Sequence, residues 1–285
     1  MRIGLFGINF GAISTGEAIA QVAGAAEAAG LDSVWAAEHT VLPDPRVPPS
    51  PMDAKTPLLD PIVALGYAAA HTKHLRLGTG IIILPQRNPL ILAKELATVD
   101  VLSNGRLIFG LGVGYLEPEF RALGAPFEQR GPVTDEAIEV LQAMWTMEKP
   151  AYKGEFFSFS GIDAHPRPVQ KPHPPIVVGG RSRHAAVRAA RSGNGWYGFF
   201  TGPEETGGIL GWIRASIADG VRPPELEDIE ISVTPPLGPI STDTIRDTIR
   251  RYEDLGVHRV IPWIQTSTVD ELLRSIDRLG ELAAG

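Results

Sequence analysis

The chain has 285 residues, of which 44% are apolar and 21% charged, and its 26 basic side chains face 33 acidic ones for a formal net charge of −7. That acidic balance, with no run of Lys or Arg, excludes the basic surface that phosphate-backbone binding requires, so nucleic acid is not an expected partner. The absence of cysteine excludes disulfides, thiolate metal ligands and cysteine nucleophiles together.

Read from the N-terminus, MRIGLFGINFG carries one positive charge and a short apolar run broken by Asn9, which predicts a first strand over Ile3–Ile8 rather than a leader peptide. A helix follows over Thr15–Ala29; it opens on Ser14/Thr15 with Glu17 behind them and stops at Gly30. The second strand, Ser33–Ala37, ends in Glu38-His39 and passes through the Pro-rich connection Thr40–Pro57 into a helix over Leu58–His71. Strand Leu75–Leu84 and helix Pro89–Leu102 form a third pair. Strand Leu107–Leu111 and helix Thr134–Met147, joined by the long connection Gly112–Pro132, form a fourth. The next connection, Ala151–Pro175, begins AYKGEFFSFSGI, an alternation that predicts a small hairpin outside the main fold. Four more pairs complete the chain: Ile176–Val178 with Arg183–Arg191, Gly195–Phe199 with Glu204–Ala218, Ile229–Val233 with Thr242–Leu255, and Val257–Pro262 with Val269–Leu282. The seventh helix opens on Ser241-Thr242-Asp243 and ends at Gly256.

Eight consecutive βα units predict an α/β fold, a single (β/α)8 TIM barrel with short insertions, because closing the sheet removes both edges and right-handed crossovers keep every helix outside. No linker or repeat divides the chain, so residues 1–285 are expected to form one domain, with functional groups on the connections that follow the strands. No stretch approaches the ~20 apolar residues that cross a bilayer; the longest candidate, Gly78–Leu84, is strand-sized. The expectation is a soluble cytoplasmic protein with no membrane partner.

The chain has no phosphate-loop motif, and the run Gly110-Leu-Gly112-Val-Gly114-Tyr115 lacks the spacing of a dinucleotide fingerprint. The seven His are scattered and Glu38-His39 is not part of a zinc-binding helix, so no metal is expected. Ile176-Val-Val-Gly179-Gly180-Arg181-Ser182-Arg183 runs from a buried strand through a glycine pair into a helix. It is either an anion site made of helix N-terminal amides or a tight turn that needs glycine for its dihedrals. Gly112 and Gly114 either give packing clearance or leave room for a flat ring. His39, closing the second strand, is either structural or a proton donor at the barrel mouth. Asn104-Gly105-Arg106 reads as a helix stop on the opposite face, with a role in stability. Of the Trp at 35, 145, 196, 212 and 263, Trp196 and Trp263 fall near strand ends, within reach of a ring.

Taken together, SVWAAEHTV, LRLGTGIIILPQRNPLILAKELATVDVLSNGRLIFGLGVGYLEPEF, LGAPFEQRG, PPIVVGGRSRHAAVRAA and GNGW resemble the luciferase-like monooxygenase superfamily in order and spacing. The resemblance implies a barrel that encloses an isoalloxazine-type ring, with the cofactor phosphate around Val178, Gly179, Gly180 and Arg181 and with His39 as the active-site histidine. Through GTGIIILPQRNP the chain is similar to the branch that uses coenzyme F-420, a deazaflavin; there the third strand carries a bulge with a non-proline cis peptide, which maps to Gly80-Ile81. On the same resemblance Glu38, Tyr115 and Trp196 join the cofactor-binding set, and Glu117 takes the place of a catalytic acid, although Tyr115-Leu116 before it depart from that relative's small residues. Glu119-Phe120 matches a commoner pattern that anchors the loop. The implied activity is hydride transfer between F-420 and a small organic substrate by a homodimer. The alternatives are an FMN-dependent monooxygenase and a non-catalytic carrier of the same cofactors.

Overall fold

The computed structural model describes residues 1–224, 226, 228–236 and 242–283, with the side chains of 242–245 excepted. Its strands are β1 (Arg2–Phe6), β2 (Ser33–Ala36), β3 (Arg76–Thr79), β4 (Ile82–Ile83), β5 (Leu107–Gly112), β6 (Tyr152–Lys153), β7 (Ser158–Phe159), β8 (Ile176–Gly179), β9 (Gly195–Phe199), β10 (Glu230–Thr234) and β11 (Arg259–Val260). Its α-helices are α1 (Gly16–Ala28), α2 (Pro61–Ala70), α3 (Pro89–Leu102), α4 (Glu117–Leu123), α5 (Arg130–Thr146), α6 (Arg183–Ser192), α7 (Pro203–Ala218), α8 (Thr242–Asp254) and α9 (Val269–Ala283).

The main sheet is all-parallel in the order β3-β2-β1-β11-β10-β9-β8-β5, and pairing of β3 with β5 closes it into an eight-stranded barrel. The expected eight βα units are all present. The third strand is not continuous from Leu75 to Leu84, as the apolar run alone predicted: it breaks after Thr79, passes through the cis Gly80-Ile81 peptide that the resemblance implied, and resumes as β4, which pairs with β5 alone. The connection Gly112–Pro132 is not plain loop, because it contains α4, with Pro118 in its first turn and Gly124 closing it in the left-handed conformation. The predicted hairpin is formed by β6 and β7, outside the barrel.

Capping explains the helix boundaries. Thr15 accepts from the Ala18 amide and Gly30 turns left-handed after α1. The second helix begins three residues later than expected, because Asp60 accepts from the Ile62 and Val63 amides and Pro61 suits the first helical position. The cap expected at Ser241-Thr242-Asp243 lies outside the described residues and side chains.

Apolar side chains between sheet and helices form the main core, whereas a smaller cluster of Phe6, Trp35, Ile108, Val177, Tyr197 and Ile261 fills the barrel interior. Trp35 stacks on Tyr197 with ring centroids 5.3 Å apart. Gly78 makes room for it: a Cβ there would lie 2.4 Å from the indole. The base of the barrel is closed by charge. Arg259, fully buried, donates to Asp32 at 2.5 Å, to Glu230 and to Ser232. Asn104 and Gly105 do form the left-handed helix stop, and Arg106 then donates to carbonyls of Ala69, Thr72, Leu75 and Ser103.

Candidate active site at the barrel mouth

His39 and α4 meet over the mouth. Glu119, on the inward face of the first turn of α4, is 1% exposed; its Oε1 accepts from the amides of Thr40 and Val41, at 2.6 and 3.3 Å, and its Oε2 lies 2.9 Å from His39 Nδ1. A carboxylate that already accepts two backbone donors places a ring proton on Nδ1, which leaves Nε2 as the nitrogen not held by Glu119. The Tyr115 hydroxyl is 3.5 Å from Nε2, with the rings edge-on. Burial, with Glu119 adding to it, pushes the Tyr115 phenol up, so it stays a neutral donor at physiological pH.

Glu38, expected to touch cofactor, instead shapes the wall beneath. It is buried and accepts from the Ile83 amide and from Arg87, whose guanidinium also holds Asp60 at 2.7 Å. Burial raises its carboxyl above the ordinary range, against the opposing charge of Arg87. Both oxygens are engaged within the protein, and their effect is to pin β4 after the Gly80-Ile81 break.

The Ile81 side chain sits between the ends of β5 and β8. A Cβ at Gly112 or at Gly179 would come within 2.8 Å of it, so these two glycines form the slot that holds Ile81. Gly114, at φ +75, serves packing: a Cβ there would lie 2.6 Å from Ile83 and Phe120. Val178 is buried in the outer core, which leaves only its backbone on the mouth side of the strand. Trp196 is fully buried, and its indole donates at 2.8 Å to the Gly180 carbonyl; it holds the glycine turn from below rather than facing the opening. Arg181 is exposed and paired with Glu205 at 2.6 Å. Ser182 caps α6 by accepting from Ala185, and the first-turn amides of Arg183 and His184 are those that helix geometry leaves without an intrahelical acceptor.

Glu117 is not brought to His39. Its carboxylate is half exposed and pairs with Arg121 one turn along α4 at 2.5 Å. The carboxylate that reaches the histidine is Glu119, which the sequence reading assigned only an anchoring part. Sequence reasoning singled out Trp263 but missed the aromatic group it belongs to. Phe199 lies 4.9 Å from Phe6 and 4.2 Å from Phe200, and Trp263 stacks on Phe200 at 5.2 Å and meets Phe10 edge-on at 5.3 Å. The signal was available: these residues all follow or end strands, the position where a barrel displays side chains toward its mouth.

Among the described residues no group of His, Cys, Asp and Glu is placed to hold a metal, and no helix is long and apolar enough to cross a membrane.

The chain matches the luciferase-like monooxygenase family over residues 1–271. It is 32% identical over 267 residues to an uncharacterized protein of Mycobacterium tuberculosis, covering 89% of each chain. It is 36% identical over 125 residues to an FMNH(2)-dependent dimethylsulfone monooxygenase of Pseudomonas putida, covering 43% of this chain and 34% of the relative. Its fold superposes on a monooxygenase of Streptomyces bottropensis with a TM-score of 0.80 at 23% identity, over 99% and 98% of the two chains. For an F-420-dependent secondary alcohol dehydrogenase in complex with an F-420-acetone adduct the values are 0.78 and 18%, over 98% and 97%. Family match and barrel agree with what the residues at the mouth suggested: this chain is a member of the luciferase-like monooxygenase family.

Proposed function

We propose that the protein is an oxidoreductase that transfers hydride between coenzyme F-420 and a small organic substrate, with His39 moving the accompanying proton. The observation that carries this reading is the His39–Glu119 pair, which fixes Nδ1 and leaves Nε2 as the nitrogen that can exchange a proton with substrate. When bound, the deazaflavin supplies or takes the hydride; the protein supplies position and electrostatics. The residues present suit a flat ring with a phosphorylated tail. Ile81 in its glycine slot offers an apolar face, and the Gly180 turn admits close approach to the α6 amides, where the helix dipole favours an anion. Arg183, exposed at the same helix start, adds a cation.

The motif GTGIIILPQRNP and the likeness to the secondary alcohol dehydrogenase support F-420. The stretch shared with the dimethylsulfone monooxygenase supports the second reading, an FMN-dependent monooxygenase. We further expect a cytoplasmic homodimer; exposed Val63 and Tyr67 on α2 and Ile91 and Leu102 on α3 support an apolar contact between copies.

Titration of the apoprotein with F-420 and, separately, with FMN tests the assignment, following intrinsic and cofactor fluorescence. Micromolar F-420 binding with much weaker FMN binding is expected, and the reverse order moves the protein to the flavin monooxygenases. Tight binding with no hydride transfer to any acceptor would make it a carrier.

A further inference from the structure

The connections after four neighbouring strands share a property. Residues 7–15 after β1 (GINFGAIST), 200–202 after β9 (FTG), 235–236 after β10 (PP) and 261–268 at and after β11 (IPWIQTST) contain no Asp, Glu, Lys or Arg. In barrel order these strands run β1-β11-β10-β9, so over one contiguous half of the rim the strand-to-helix connections carry no charged residue in sequence, and the acidic residues Glu17, Glu204, Glu205, Asp270 and Glu271 begin only in the helices that follow. The connections of the other half carry Asp44, Arg46, Asp53, Lys55, Arg87 and Arg181.

The uncharged half is where the aromatic group sits, with Phe10, Phe199, Phe200 and Trp263 half-buried around Phe6. Several of its polar side chains are turned back onto the protein. Asn9 accepts from the Ala37 amide and donates to the Ala37 and Leu59 carbonyls. The Tyr197 hydroxyl pairs with Thr234 at 2.6 Å, and Thr234 donates to the Ile261 carbonyl at 2.8 Å. Thr206 donates to Thr201. A charged substrate placed here would lose hydration and find no counter-ion, whereas an apolar one would exchange water for ring faces and edges.

We propose that the substrate is an uncharged, predominantly apolar molecule, held by Phe10, Phe199, Phe200 and Trp263 with its reacting hydroxyl or carbonyl toward His39. The proposal rests on the hydride-transfer reading for which group reacts, and on the rim alone for what is bound.

The test is saturation-transfer NMR and fluorescence titration of the F-420-loaded protein with 4-tert-butylcyclohexanone and with glucose 6-phosphate. The ketone should bind at least about tenfold more tightly than the sugar phosphate. Trp263→Ala should weaken ketone binding about tenfold or more, as loss of a central aromatic anchor does, and Trp263→Phe should keep it within about threefold while F-420 binding is unchanged in both. Tighter binding of glucose 6-phosphate, or ketone binding indifferent to Trp263→Ala, would overturn the proposal. If F-420 itself does not bind, the cofactor assignment falls, and the same ketone titration of the apoprotein and the Trp263 variants still decides the substrate class.

Discussion

Arg259, buried at the base of the barrel, and His39, partly buried at its mouth, are both paired with a carboxylate, yet the protein uses them differently. Arg259 divides its donors among Asp32, Glu230 and Ser232, and so ties the loop before β2 to β10 and β11. Around it the pattern repeats: Glu27 accepts from the amides of Lys73, His74 and Leu75, and Arg106 from the α3–β5 turn reaches back to the carbonyls that end α2. His39 has one nitrogen held by Glu119, and the other has only a long contact to Tyr115. The comparison teaches how charge in this barrel divides between stability and function: at the base the Nε and Nη1 donors of Arg259 are answered by carboxylates within the fold, and at the mouth Glu119 holds only one nitrogen of His39.

The sharpest way to break this comparison is to remove that ring. His39→Ala should lower turnover by about 10²- to 10⁴-fold, the usual worth of a positioned acid or base, while affinity for F-420, the cofactor proposed above, changes only a few-fold, because the Ile81 slot and glycine turn proposed to hold it do not involve His39. Steady-state kinetics with a parallel binding titration measures both. Full activity in the variant would return His39 to a structural part.

At the base the expected effect is on stability alone. Glu230→Gln leaves the buried Arg259 short of a counter-ion and should cost about 3 kcal/mol in a urea titration at neutral pH, with turnover intact below the unfolding transition. The pH dependence follows from the same pair. Burial pushes the Glu230 carboxyl up, but the charges of Arg259 and Arg2 more than offset it and hold it below its ordinary value of 4.5. A depressed carboxylate contributes stability above its unfolded pKa that is lost as pH falls through the folded one. Wild-type stability should therefore decline below about pH 4.5, and less steeply in Glu230→Gln. Equal slopes in the two proteins would remove Glu230 from the account.

How much of this was legible in the chain depended on whether the signal was local. Every barrel strand and its helix could be placed from apolar runs and caps such as Thr15 and Gly30, because those depend on near neighbours. The interruption of the third strand could not be read from periodicity, since Ile81, Ile82, Ile83 and Leu84 continue the apolar run without a break; it came only with the family resemblance. The helix over Glu117–Leu123 was hidden by length, seven residues being too few to display a period, although Pro118 and Gly124 mark its ends. The resemblance offered Glu117 as the acid, and the helix turns it away. In an extended loop Glu117 and Glu119 would point alike, but two residues along a helix are about 200° apart, so one faces the barrel and the other solvent. Which one depends on how α4 docks, a tertiary fact fixed by Phe120 packing beneath it. The pairing of His39 with a residue 80 positions away is of the same kind.

The smallest effect belongs to the residue thus displaced. The pair between Glu117 and Arg121 is exposed on both sides, 52% and 77%, where solvent and side-chain entropy offset most of the attraction. Glu117→Ala should change stability by less than about 0.5 kcal/mol and leave kcat and the substrate KM unaltered. The contrast with Glu119→Ala sharpens the point, since that change strips the Thr40 and Val41 amides and the His39 ring of their common acceptor, three donors at once. A tenfold loss of kcat in Glu117→Ala with stability unchanged would mean that α4 turns when ligand binds and brings Glu117 to the mouth, and the division between a solvent-facing Glu117 and a site-facing Glu119 would then hold only for the free protein.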